Sequence, residues 1–198
     1  MDLVAIRALI PLSDGELVPP PALFRHASRL HGQAHVARVL VHGLGLVAAI
    51  GCVDELPRLW AATYLHDLAR RHDGISTRHG ADAWARLATL PDVEALFARG
   101  GVRADDYPAI QAAVTMHSHG EPTAGDPHER LIKLLKDADG LDRVRLGDLN
   151  PRYLRYPEAR RMVQFAERLF DETDDVLPTG LDHFERLWPE AVRLADSA

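Results

Sequence analysis

His66-Asp67 set an imidazole beside a carboxylate, near the end of the apolar run Ala61-Ala62-Thr63-Tyr64-Leu65. Inside a core, both groups are costly unless paired or coordinated. Adjacent residues on a helix point about 100° apart, yet both can converge on an ion lying off the ridge between them. Imidazole nitrogen with carboxylate oxygen suits zinc, iron, manganese, cobalt or nickel. Taken alone, the pair reads as a helix C-terminus with a charge-compatible histidine. The flanks change that. Upstream stands His31-Gly32-Gln33-Ala34-His35-Val36-Ala37-Arg38-Val39, and downstream Asp137-Ala138-Asp139-Gly140-Leu141-Asp142. The order is His, then His-Asp, then Asp, and only a folded chain can bring them together.

The elements that must position these groups are helices. Residues 22–50 show apolar spacings of three and four, with Gly32, Gly43 and Gly45 as interruptions. Asp54, with Pro57 in the first turn, is expected to cap a helix running through Leu65 to Ala69. Asp73-Gly74 marks a turn, and Ser76 or Thr77 is the expected cap of a helix through Trp84. Pro91 opens a short segment that Gly100-Gly101 ends, and Asp105 or Asp106 caps a helix reaching His117. Further helices are expected from Glu129 to about Asp142, near 157–173 and near 180–196. No stretch alternates as a strand would, so the expected class is all-α, a non-coiled helical bundle.

The ordered motifs resemble the HD-domain superfamily of metal-dependent phosphohydrolases. His35-Val36-Ala37-Arg38-Val39 matches that family's His-x-x-Arg-Val context, and His66-Asp67-Leu68 matches its His-Asp pair. Asp137-Ala138-Asp139-Gly140-Leu141-Asp142 matches its late aspartate run, with Asp139 as the implied ligand. The resemblance covers roughly residues 25–145 and implies an HD-domain helical bundle with one or two divalent transition metals (Fe, Mn, Zn, Co or Ni). A subset of the family adds two histidines between the His-Asp pair and the last aspartate, and His79 and His117 fit that order. On this reading Asp67 bridges and is the catalytic carboxylate. His35, His66 and Asp139 hold one metal, and His79 and His117 the other.

The implied reaction is hydrolysis of a phosphate ester or anhydride of a small nucleotide-like metabolite, with metal-activated water as nucleophile. Substrate contacts are expected from His119 at the pocket mouth, His31 one turn before His35, and Lys136. Arg70 and Arg71 are either phosphate-binding forks or ordinary basic residues of a helix end. His42 reads as a packed helix residue, and His26, His128 and His183 as solvated or capping. Two other readings share the motif: a di-iron HD-type oxygenase using O2 on a small organic substrate, and a non-catalytic HD binding module.

Composition narrows the partners. The net charge of −6 lacks the basic balance of a nucleic-acid binder, and the arginines from Arg152 to Arg161 read as a solvated helix face. The single cysteine, Cys52, excludes an internal disulfide, so a cytoplasmic setting is expected. The N-terminus is not read as a signal peptide, and the longest apolar stretch, near residues 44–53, is too short to span a bilayer. The expected partner is a phosphorylated small molecule, with neither membrane nor nucleic-acid polymer. Residues 1–21 are read as an N-terminal arm and 22–198 as the HD domain with a helical extension. Residues 146–198 carry no motif, and a pocket wall or a homo-oligomer face is among their expected roles.

Overall fold

The computed structural model describes residues 2–174 and 183–197, and among these there are α-helices and 3-10 turns but no strand. The α-helices are α1 (Leu3–Arg7), α2 (Gln33–Ile50), α3 (Leu56–Leu65), α4 (His79–Leu87), α5 (Pro91–Arg99), α6 (Tyr107–Met116), α7 (Glu129–Leu141), α8 (Pro157–Arg161), α9 (Val163–Thr173) and α10 (His183–Asp196). The expected all-α bundle is the fold observed. The first residues of the helix expected at 180–196 lie outside the described residues.

α2 is the axis of the bundle and packs against α7, α3, α10 and α1. It is buried continuously from His35 to Val47. By length and composition it could cross a membrane, but 72% of it is buried inside the protein, as in a core helix. Gly43 does not interrupt it. A Cβ there would approach Leu59 Cδ2 to 3.2 Å, so the glycine lets α3 lie close against α2. The helix closes on Gly51, which is left-handed at φ 77°.

Helix boundaries differ from expectation for local reasons. Residues 24–32 are not helical. Ser28 Oγ accepts hydrogen bonds from the amides of Leu30 and His31 at 3.0 and 2.9 Å, a local turn that competes with helix. α3 ends at Leu65, and His66–Ala69 form a turn. Asp54 is not the cap of α3 but lies in the preceding 3-10 turn, Val53–Glu55. Neither Ser76 nor Thr77 caps α4, since Arg78 occupies that place without a side-chain bond. The segment 157–173 splits at Met162, whose amide is shared between the carbonyls of Glu158 and Ala159.

The N-terminal segment is packed into the core. Leu3, Ile6, Ile10, Leu12, Leu17 and Val18 are buried, and the Trp60 indole donates to the Leu17 carbonyl at 3.0 Å. Each such apolar side chain contributes about 1.5–3 kcal/mol when fully buried.

His42 is packed, as expected, but with a consequence. It is fully buried against Phe165, and neither ring nitrogen has a partner among the described residues. Burial lowers its pKa to about 4. In the unfolded chain it takes a proton near 6.5, whereas the folded chain resists one until about 4. This contribution to stability is therefore whole above pH 6.5 and falls as pH drops toward 4, by on the order of 3 kcal/mol. His42→Leu is expected to flatten urea-unfolding free energy against pH across that window. A slope identical to the wild type would refute the assignment.

Candidate metal centre

Four helices and one turn bring the six expected ligands together. His35 comes from the buried face of α2, His66 and Asp67 from the turn ending α3, and His79 from the first residue of α4. His117 caps the C-terminus of α6, and Asp139 lies in the last turn of α7. α4 can bring His79 so near α6 because Gly80 faces it. A Cβ there would stand 2.1 Å from the Val114 carbonyl oxygen and 3.2 Å from the His117 ring.

The ring orientations are fixed from behind. His66 Nδ1 donates to Thr63 O at 2.7 Å, His79 Nδ1 to Ser76 O at 3.0 Å, and His117 Nδ1 to Val114 O at 2.6 Å. His35 Nδ1 donates to Asp142 Oδ2 at 2.7 Å. A neutral imidazole has one N–H, and these acceptors place it on Nδ1. In the neutral form each Nε2 therefore presents a lone pair. Yet His35 Nε2 and His66 Nε2 stand 3.1 Å apart, and His79 Nε2 and His117 Nε2 stand 2.7 Å apart. Two lone pairs cannot hydrogen-bond each other, and facing at this range they repel unless a cation lies with them.

Asp67 joins the two pairs. Its Oδ2 lies 3.4 Å from His35 Nε2 and 3.8 Å from His66 Nε2, and Asp139 Oδ1 completes this cluster at 3.4 Å from His35. Its Oδ1 lies 3.1 Å from His79 Nε2 and 3.8 Å from His117 Nε2. Ligands about 2.0–2.2 Å from an ion in a tetrahedron stand roughly 3.3–3.6 Å from one another. The first cluster, at 3.1–3.8 Å, brackets that spacing, and the second spans 2.7–3.8 Å, with its imidazole pair the tighter part. His35, His66 and Asp139 could hold a metal ion, as could Asp67, His79 and His117, or His31, His35 and Asp67.

The electrostatics call for positive charge at the same point. Burial opposes ionisation of Asp67, but His66, His117, His31 and His35 outweigh it and hold the carboxyl well below its ordinary value. Burial likewise opposes ionisation of Asp139, and His35 and His66 overcome it. Burial drives His66 down to about 3. Burial and Arg145 disfavour a charged His35, yet Asp142 and Asp67 outweigh them and raise its pKa. A proton gained there would occupy Nε2, the atom aimed at the centre.

The expected substrate residues fare unequally. His119 is exposed and lines a cavity of about 350 Å³ over the centre, as do His31 and Arg70. His31 precedes α2 instead of lying on it, and its Nδ1 meets Asp67 Oδ2 at 2.9 Å. Arg70 Nε donates to Asp67 Oδ1 at 2.9 Å, so both residues orient the carboxylate. Arg71 is exposed and lies outside the cavity lining, because the turn after α3 carries it outward. Lys136 does not reach toward a substrate. Its ammonium donates to the carbonyls of Met116, His117 and His119 at 2.9, 3.1 and 2.6 Å, which uses all three protons to close the end of α6. His183 is buried, not solvated. His26 is partly exposed and lies 3.5 Å from Asp73, and His128 sits just before α7 without a capping bond.

Two residues quoted in the motifs were given no role by the sequence. Asp142 is fully buried and accepts from His35, from Arg38 Nε at 2.5 Å and from Arg145 Nη1 at 3.3 Å. Arg38, also buried, lies 5.1 Å from the Phe170 ring centroid. The available signal was spacing: Arg38 follows His35 by three, and Asp142 follows Asp139 by three, which puts each pair on one helix face.

Comparisons with family models, curated proteins and solved structures return no match for this chain.

Asp142→Ala tests the outer support. It leaves Arg38 as a buried charge without its partner, expected to cost about 3–5 kcal/mol. It also frees the His35 ring, expected to weaken metal affinity about 10–100-fold. Thermal unfolding and competitive metal titration read the two effects separately, and unchanged affinity would show that His35 is held some other way.

Proposed function

We propose that this chain is a metal-dependent phosphohydrolase of the HD-domain type, acting on a phosphate ester or anhydride of a small nucleotide-like metabolite. The observation that carries the reading is the placement of Asp67, whose two oxygens face two separate pairs of imidazole lone pairs. A carboxylate so shared suits a pair of divalent cations, and the ordered motifs of the sequence support the family. When bound, such ions supply Lewis acidity toward a phosphoryl oxygen and make a water nucleophilic near neutral pH.

The chain's own groups do the rest. His31 and Arg70 hold the Asp67 carboxylate in one orientation. The carbonyls behind His66, His79 and His117, with Asp142 behind His35, keep the four Nε2 atoms aimed inward. Burial of His35, His66 and Asp67 excludes bulk water from the ligand side and leaves the cavity as the approach. His119 and Ser118 line that approach, where hydrogen bonds to a phosphoryl or leaving-group oxygen can form.

His66→Ala and Asp67→Ala are expected to lose bound metal in elemental analysis. Phosphate release from phosphomonoesters should fall by roughly 100- to 1,000-fold, as when a principal electrostatic stabiliser is removed. Full metal content with wild-type turnover in either variant refutes the proposal. Protein prepared without oxygen that carries two irons in a mixed-valence state, and releases no phosphate, would replace hydrolysis with oxygen chemistry.

A further inference from the structure

A second cavity, of about 330 Å³, adjoins the first and shares His117, Asp139 and Arg143 with it. The centre thus lies at the junction of two chambers. The second chamber is walled by Leu149, Asn150, Tyr153 and Leu154. Tyr153 is 77% exposed, a large aromatic side chain left open beside the centre. The Asn150 side-chain oxygen accepts from the Arg152 amide at 3.0 Å, so its N–H groups remain for another partner.

The cations around this chamber are already engaged. Lys136 is spent on three carbonyls. Arg155 donates to both oxygens of Glu121, at 2.9 and 2.5 Å, and to Asp137 Oδ1 at 3.0 Å. This overturns the expectation of a merely solvated basic face for that residue. Arg143 pairs with Asp148 at the rim. A second phosphate entering here would find no guanidinium or ammonium without its own counter-group, and would face Asp148. An uncharged ring would find an aromatic face, two leucines and a carboxamide.

We infer that the second chamber binds an uncharged planar ring with hydrogen-bonding edges, stacked on Tyr153, while the phosphoryl group lies at the Asp67 centre. This rests on the phosphohydrolase reading and narrows it. The preferred substrate class is the phosphomonoester of a heterocycle-bearing alcohol, such as a nucleoside monophosphate, over a di- or triphosphate. Tyr153 is its specificity-determining residue.

Phosphonates, whose C–P bond resists hydrolysis, test binding apart from turnover. Calorimetry on the manganese-loaded full chain would compare methylphosphonate, an adenosine 5′-phosphonate and its methylene-linked diphosphate analogue. The adenosine phosphonate is expected to bind about tenfold more tightly than methylphosphonate, within the range measured for base stacking on an aromatic ring. The diphosphate analogue should gain nothing further. Tyr153→Ala should erase the tenfold advantage and leave methylphosphonate unchanged, whereas Tyr153→Phe should keep it. Equal binding or no binding of the two monophosphonates by the wild type overturns the inference. So does an advantage that survives Tyr153→Ala, or a tighter diphosphate. Failure of the hydrolase reading would look different: no phosphate release from any monoester, with the ring preference intact.

Discussion

The structure turns on a confrontation of lone pairs. Four imidazoles each turn Nδ1 to an acceptor behind them, so that in their neutral form their Nε2 lone pairs face one another 3.1 and 2.7 Å apart. A polar core normally satisfies itself, donor to acceptor. Here the Nδ1 atoms are satisfied from behind, whereas the facing Nε2 atoms, when neutral, call for positive charge between them. Asp67 and Asp139, both held below the ordinary carboxylate range, deepen that demand. Helix ends make the arrangement affordable. His66 and His117 sit where carbonyls three residues earlier have lost their helical partners, and each ring takes up one of those carbonyls.

Behind this inner ring stands a second cost. Arg38 and Asp142 are both buried, and desolvating two such ions costs several kcal/mol each. Hydrophobic residues of similar volume would serve stability as well or better. What they would not do is hold His35. Asp142 accepts from that ring while Arg38 and Arg145 keep it ionised, well below its ordinary pKa despite burial. The pair also ties α2 to the end of α7, the two helices that supply His35 and Asp139. Stability is thus spent on the orientation of one ligand.

Much of this was legible in the residues. The apolar spacing of three and four identified the helices that matter, and the glycines and prolines marked most of their ends. The six expected ligands lie on five elements, His66 and Asp67 sharing one turn, whose ordering is visible in the chain, and the structure gathers all six. What spacing could not supply was the outcome of local competition. Ser28 diverts the chain from helix before Gln33, and so moves His31 off the helix face that simple periodicity gives it. Nor does a basic residue declare what it will bind. Lys136 and Arg71 looked alike as phosphate contacts. Yet one is drawn inward to three carbonyls left open by the end of α6, and the other is turned out to solvent. Such roles depend on which acceptors a neighbouring helix leaves unsatisfied, a fact of tertiary structure.

The same accounting constrains how the site selects what it binds. Arg70 is held by Asp67 and the Gly74 carbonyl, Arg145 by Asp142 and the Leu30 carbonyl, and Arg155 by Glu121 and Asp137. Asp67, Asp73 and Asp139 line the chamber over the centre. The protein alone therefore offers an anion little attraction there, although arginines surround it. On the proposed function, positive charge for a phosphoryl group would come from ions held by the Nε2 atoms and Asp67. Affinity for the anionic part of such a ligand and affinity for its uncharged part would then have separate sources. On that reading the first would depend on metal occupancy, and the second on the surface around Tyr153, which is not among the candidate ligands.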